Sequence, residues 1–220
     1  MNKVVLVVVA SVWIGGLVLV GARLWHSTTS LTATQYFDRG LEYAVAGEHQ
    51  KAIDNYTKAI NRDPQNAKIW VNRGTAYSDL AQNEMAGMHF ILDWYERAIQ
   101  DFDEAARLDP EHELAYSAKT YNNRGTAYRH MLQHEKAIQD LDEAIRLDPQ
   151  AVKSYYNRGL TYYSLDRHDK AIQDLDEAIR LDPQWASAHY RRGVAYKRLG
   201  QQNKADADRK RACELDSHYC

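Results

Sequence analysis

A surplus of charge of either sign is missing from this sequence. Its 220 residues carry 28 lysines and arginines against 30 aspartates and glutamates. The signs alternate along the chain, as on solvated helix faces, so no basic excess points to nucleic acid. Catalytic signatures are missing as well: there is no glycine-rich phosphate loop, no nucleophile-elbow pattern and no His-Glu-x-x-His. This argues against an enzyme and leaves a binding or structural role, with no cofactor and no metal expected. His130 and His134 stand four apart, but beside an expected turn, where polar residues need no ligand. Cysteine is scarce: Cys213 and Cys220, both near the far end, are the two in the chain. They are a candidate disulfide in an oxidising compartment and free thiols in a reducing one. With His218 between them they form at most three ligands, weak ground for zinc.

Long hydrophobic runs are also missing, except at the start. Val4 to Ala22 carries no charge, and a helix of that length reaches roughly 28 Å, close to the thickness of a bilayer core. The run exceeds the apolar core of an ordinary cleaved signal, so an uncleaved signal anchor over residues 1–26 is expected. The alternative is export after cleavage near Val20-Gly21-Ala22. No cysteine is near enough to accept a lipid. With Lys3 on one side and Arg23 on the other, the preferred orientation keeps the amino end in the cytoplasm. The remainder would then lie in the periplasm, at a bacterial-type inner membrane. Residues 27–32 form a short polar linker, which keeps residues 33–220 close to the bilayer surface.

What those later residues contain in abundance is self-similarity. Gly40, Gly74, Gly125, Gly159 and Gly193 lie in near-identical phrases, "DRGLEY", "NRGTAY", "NRGTAY", "NRGLTY" and "RRGVAY", at intervals of 34, 51, 34 and 34. Each unit reads as two amphipathic helices. The first carries an aromatic, a glycine and a tyrosine (Trp70, Gly74, Tyr77), the second alanine, a bulky residue and alanine (Ala98, Phe102, Ala105), at spacings that share one helical face. "RLDP" ends several units, where proline stops one helix and aspartate suits the start of the next.

A 34-residue period with these large and small positions resembles the tetratricopeptide repeat. The resemblance implies an all-α, right-handed α-solenoid of about five helix-turn-helix repeats, near 33–66, 67–112, 118–151, 152–185 and 186–219, behind one transmembrane helix. It also implies that the first helix of each repeat lines a concave groove. The sequence departs from the family where leucine commonly precedes the glycine: here arginine stands every time (Arg39, Arg73, Arg124, Arg158, Arg192). Asn55, Asp101, Asp140, Asp174 and Asp208 recur on the second helix, and structural ion pairs or hydrogen bonds between helices are expected with these arginines. In the last repeat Arg209 replaces a bulky apolar residue, as suits a polar cap.

On the expected groove lie Asn72, Asn123 and Asn157, with Arg191 in the corresponding place of the last repeat, and Lys68, Lys119 and Lys153 four residues before the asparagines. Carboxamides hold peptide groups whatever the neighbouring side chain, and the lysines suit carboxylates. The expected partner is therefore a protein offering an extended or acidic segment. The clamp some family members use for a carboxy-terminal carboxylate is matched only in part, because Asn122, Thr126 and Ser187 stand at clamp positions. The long interval holds an insertion near 82–93, expected to lengthen both helices into a projecting hairpin. Met85, Met88, Phe90 and Ile91 on it are candidate partner contacts. Self-association through this hairpin is the alternative to a peptide-binding scaffold; an accessory subunit of an enzyme is another.

Overall fold

The computed structural model describes residues 31–83, 88–109 and 117–220. The expected signal anchor, most of the linker and Met85 lie outside the described residues. Among the described residues no helix is long and apolar enough to cross a membrane.

These residues form ten α-helices in five antiparallel pairs: α1 Ala33–Val45 with α2 His49–Ile60, α3 Ala67–Asn83 with α4 Met88–Leu108, α5 Ser117–His130 with α6 His134–Leu147, α7 Val152–Ser164 with α8 His168–Leu181, and α9 Ala186–Arg198 with α10 Gln202–Leu215. A short 3-10 turn, Ser217–Tyr219, closes the chain. The first helix starts at a capping box: Thr32 Oγ1 accepts from the Gln35 amide, and Gln35 Oε1 accepts from the Thr32 amide. Both of those amides would otherwise lack a helical partner.

Each pair is held by small residues that let the helices close. Ala98, Ala137 and Ala171 are fully buried, and each second helix passes tightly over a glycine of the first. A methyl group added at Gly125 would sit 2.9 Å from Leu141 Cγ and 3.1 Å from the Ala137 carbonyl oxygen. The glycines recur once in each unit because the same close crossing recurs. Successive pairs stack even on odd (α2 on α3, α4 on α5, α6 on α7, α8 on α9), and odd helices also touch the next odd helix. The odd helices therefore line the inner face of a solenoid.

The turn within a pair brings one residue into the left-handed region at equivalent points: Gly47 (φ 74°), Leu132 (φ 59°), Asp166 (φ 55°) and Gly200 (φ 72°). In the second pair the insertion stands at this turn, and α3 and α4 run to 17 and 21 residues against 13 and 14 for α7 and α8. The added length falls mostly on α4, and its base does not stand free. Ile91 and Trp94 pack against Ala81, Tyr95 and Ala127, so the extension leans on α5. Met88 and Phe90 remain 73% and 58% exposed.

The recurring arginines have a structural assignment. Arg124 Nε and Nη2 each donate to Asp140 at 2.7 Å, while its Nη1 donates to Asp103 of the preceding pair at 2.7 Å. Arg158 does the same with Asp174 and Asp142, and Arg192 with Asp208 and Asp176. Arg73 grips Asp101, but finds Thr57 where the later pairs have the second aspartate. Burial opposes the charge on Arg124, but the hydrogen bonds and charge of Asp140, joined by Asp103, outweigh it and raise its pKa. The first pair lacks this device: Asn55 donates to the Lys51 carbonyl, and Arg39 is exposed.

Candidate functional site

The inner face is made by the odd helices, each of which touches the next odd helix. Lys68, Asn72, Lys119, Asn123, Lys153, Asn157 and Arg191 all lie on these helices. Several are already tied together. Asn123 Nδ2 donates to Thr75 Oγ1 at 3.0 Å, joining α5 to α3. Asn122 Nδ2 donates to Asn123 Oδ1 at 3.1 Å, and Asn122 Oδ1 accepts from Asn157 Nδ2 at 3.1 Å and Ser154 Oγ at 3.3 Å, joining α5 to α7. Asn72 Nδ2 donates back to the Lys68 carbonyl at 2.7 Å. The asparagines of α5 and α7 thus form a carboxamide ladder, tied to α3 through the Thr75 hydroxyl, while Asn72 stays bonded within its own helix. Some of their hydrogen-bonding capacity stays available, because each carboxamide has two N–H bonds and two lone-pair directions.

The lysines are spread differently. The Lys68 ammonium lies 5.2 Å from the centre of the Phe37 ring. Lys119 and Lys153 sit on the wall of a cavity of about 510 Å³ at the amino ends of α5 and α7, which Asn122, Val152 and Trp185 also line. Their charges reach Asp79 on α3: burial raises the Asp79 pKa, while His49, Lys119 and Lys153 draw it back down. Nothing in the periodic phrases signals Asp79. It is an acid at a point where the other units place different residues, and its lysine neighbours come from later repeats.

Residues at the family's clamp positions are engaged inside the array. Thr126 Oγ1 donates to the Asn122 carbonyl at 2.8 Å, and Ser187 Oγ lies 2.6 Å from the Tyr156 hydroxyl. The Tyr156 ring lies 4.4 Å from Trp185, tilted by 32°, and the two form an aromatic wall beside the cavity. Two further residues of this face have no counterpart in the sequence-based site: Arg129 and His130, at the end of α5. Their pattern is not periodic, so a search for recurrence passes over them.

At the end of the array Cys213 and Cys220 are joined by a disulfide. It folds the terminal turn back, so that the Tyr219 ring lies 5.0 Å from Tyr190 and Arg209 Nη2 donates to the Cys220 carbonyl at 3.4 Å. Among the described residues no group of three histidines, cysteines or acids is gathered for a metal.

Comparison with known proteins agrees with this geometry. A family model described as TPR repeat matches residues 40–80 and 161–200, and models described as tetratricopeptide repeat match 118–150, 141–173 and 186–219. No curated protein matches the chain. Among solved structures, MamA protein is 28% identical, with a TM-score of 0.66 over 84% of this chain and 92% of that one. MamA from Desulfovibrio magneticus RS-1, from its residue 41 to the end, is 21% identical, with a TM-score of 0.68 over 84% and 96%. YrrB, a TPR protein described with an unusual peptide-binding site, is 20% identical, with a TM-score of 0.60 over 84% and 87%. At the identities of these last two the likeness is one of fold.

Proposed function

Starting from a chain that carries tetratricopeptide repeats, we propose that it is a protein-interaction scaffold holding an extended segment of a partner along the odd-helix face. The observation that carries this reading is the carboxamide ladder through Asn123, Asn122 and Asn157. It spaces backbone-binding groups along neighbouring helices, beside the cavity walled by Lys119, Lys153 and Trp185. Asparagines bind main-chain groups, which suits an extended segment of varied sequence, and the lysines favour acidic residues within it. YrrB, of the same fold, supports the reading to the extent that such a solenoid accommodates a peptide site. Nothing in the face calls for chemistry, and the role is binding without catalysis.

The scaffold works at a membrane in this proposal. The uncharged stretch Val4–Ala22 anchors it, and the linker holds the repeats near the lipid surface on the periplasmic side of a bacterial-type inner membrane. The Cys213–Cys220 disulfide fits an oxidising compartment. The scaffold there assembles or retains a membrane complex.

Site-directed photo-crosslinking in the native membrane tests this. Probes at Asn72 and Lys153 should trap one partner through a contiguous segment, and a probe at Lys170, on an even helix, should not. Equal trapping from both faces, or none from the odd-helix face, rejects the groove. A second reading is favoured by the exposed Met88, Phe90 and Leu92: association of two copies through the extended α3–α4 pair. Sedimentation of the chain with all three changed to serine decides it, since an unchanged oligomeric state removes this reading.

A further inference from the structure

The half-buried arginines of this protein follow a rule that one of them breaks. Arg73, Arg124, Arg158 and Arg192 are largely covered, and every one grips an aspartate. Arg129, on the last turn of α5, is partly buried too, yet among the described residues no carboxylate bonds to it. Its Nη2 lies 2.9 Å from His130 Nε2, and its Nε is buried with no hydrogen-bond partner. His130 brings no negative charge: burial and the adjacent guanidinium lower its pKa to about 4, so the ring is neutral and accepts at Nε2. Tyr95 fixes that ring by stacking parallel to it at 5.0 Å.

A second unmatched cation stands nearby. Arg191, on α9, has the Tyr190 ring 5.9 Å from its guanidinium and, among the described residues, no carboxylate partner. Between the two arginines α7 presents Tyr156, whose hydroxyl meets Ser187. Burial lowers the Arg129 pKa; Tyr95 and Tyr156 oppose that fall, and the charge of Arg191 adds to it. A covered guanidinium with an unused Nε–H is costly, and a second cation in range adds to the cost. An anion relieves both terms, and the planar fork of arginine matches a carboxylate in two parallel hydrogen bonds. The charges that act on Asp79 of α3 are those of His49, Lys119 and Lys153.

We propose that Arg129 and Arg191 form a carboxylate-binding site on the odd-helix face, which takes an acidic group of the segment bound there. The site rests on the groove reading above, but it is built from residues other than the asparagines and can fail separately. It makes the face selective: the asparagines hold main chain of any sequence, and the arginine pair fixes where an acid must stand.

The test uses the full chain in detergent micelles and three fluorescent peptides: hexaglutamate with an amidated end, hexaglutamine with an amidated end, and hexaglutamine with a free carboxylate. Amidated hexaglutamate should bind about tenfold or more tighter than its glutamine counterpart, an advantage that shrinks with added salt. Arg129→Gln and Arg191→Gln should each remove that advantage, and Arg129→Lys, which keeps the charge but not the fork, should restore part of it. An advantage appearing with the free-end hexaglutamine, and lost in the same variants, assigns the site to a terminal carboxylate. Thermal melts matching the unaltered chain check that the variants are folded. If all three peptides bind equally and the variants change nothing, the groove stands and the carboxylate site is overturned. If no peptide binds, the groove reading fails for these ligands and a small anion decides the site. Sodium glutarate should then shift the Arg129 Nε–H NMR resonance saturably, and an unmoved resonance overturns the proposal.

Discussion

Arg158 and Asp174 face each other as fork and carboxylate, Nε to Oδ2 at 2.8 Å and Nη2 to Oδ1 at 2.7 Å, with the Asp174 side chain 8% exposed. The third donor of the same arginine reaches Asp142 in the preceding pair of helices at 2.6 Å. A single side chain thus fastens the two helices of one repeat and binds that repeat to its neighbour. In an array whose stability is the sum of unit and interface terms, this couples the two.

The two legs of that contact differ in burial, and their removal should differ in cost. Arg158→Leu leaves the buried Asp174 carboxylate without its cation and should destabilise by about 3 kcal/mol or more. Asp142 is 53% exposed, so Asp142→Ala should cost less than about 1 kcal/mol. Arg158→Leu combined with Asp174→Leu should recover much of the loss, since no charge then remains buried. Urea unfolding of the three variants checks the order, and a large cost for Asp142→Ala would contradict it.

Gly125 looks like a helix-weakening residue that alanine would improve. The crossing forbids it, because the added Cβ would lie 2.9 Å from Leu141 Cγ and 3.1 Å from a carbonyl oxygen. Gly125→Ala should therefore destabilise by about 1–3 kcal/mol despite the better helix propensity of alanine. A rise in the unfolding midpoint would show that the helices have room to separate.

Leu132 offers the opposite case. It holds φ at 59° where two other repeats use glycine, and its side chain is 77% exposed, so little packing is lost on removal. Leu132→Gly should stabilise the chain by on the order of 1 kcal/mol, because glycine carries no left-handed penalty. Asp166→Gly should gain less, since aspartate visits this region more readily. Matched thermal melts of both variants measure the difference.

His130 makes stability depend on pH. Burial, with the Arg129 charge beside it, holds its folded pKa at about 4, below the ordinary 6.5. A group depressed on folding contributes stability that is fully present above pH 6.5 and is lost as pH falls through about 4. The unfolded chain takes up the proton first. At about 1.4 kcal/mol per pKa unit the loss attributable to His130 is at most about 3.5 kcal/mol. Denaturant titrations at pH 7 and pH 4 on the chain and on His130→Gln check this: the variant should lose less, and parallel losses would show that His130 is not the group responsible.

The Cys213–Cys220 bridge closes a short loop at the array's end. Reduction should release the terminal turn and loosen α10, at a cost of about 2 kcal/mol from the loop-closure entropy of so short a segment. Hydrogen exchange with and without reductant should show faster exchange confined to α10 and the 3-10 turn. A uniform change along the array, or none, would argue against that local role.

The repeating part of the molecule was legible because its packing repeats. Gly74, Gly125 and Gly159 recur with Ala98, Ala137 and Ala171 since every unit solves the same helix crossing. The recurrence of Arg124, Arg158 and Arg192 with Asp140, Asp174 and Asp208 announced ion pairs for the same reason. Their second leg, to Asp103, Asp142 and Asp176, was not visible until the helices of adjacent units were set side by side. The inserted stretch was legible as an interruption of the period. That Ile91 turns inward while Met88 and Phe90 face solvent depends on where α5 lies against α4.

Local pattern alone settled helix class, period and the small-against-large faces, because those are set within some thirty residues of chain. The distribution of work on the inner face belongs to the tertiary structure. Asn122 and Asn123 differ by one position in sequence, yet one joins α5 to α7 and the other joins it to α3. Arg124 and Arg129 are both arginines of a single helix. The first meets aspartates of α6 and α4, and the second, five residues on, meets the neutral His130, because the helices that converge on a side chain decide whether a carboxylate reaches it.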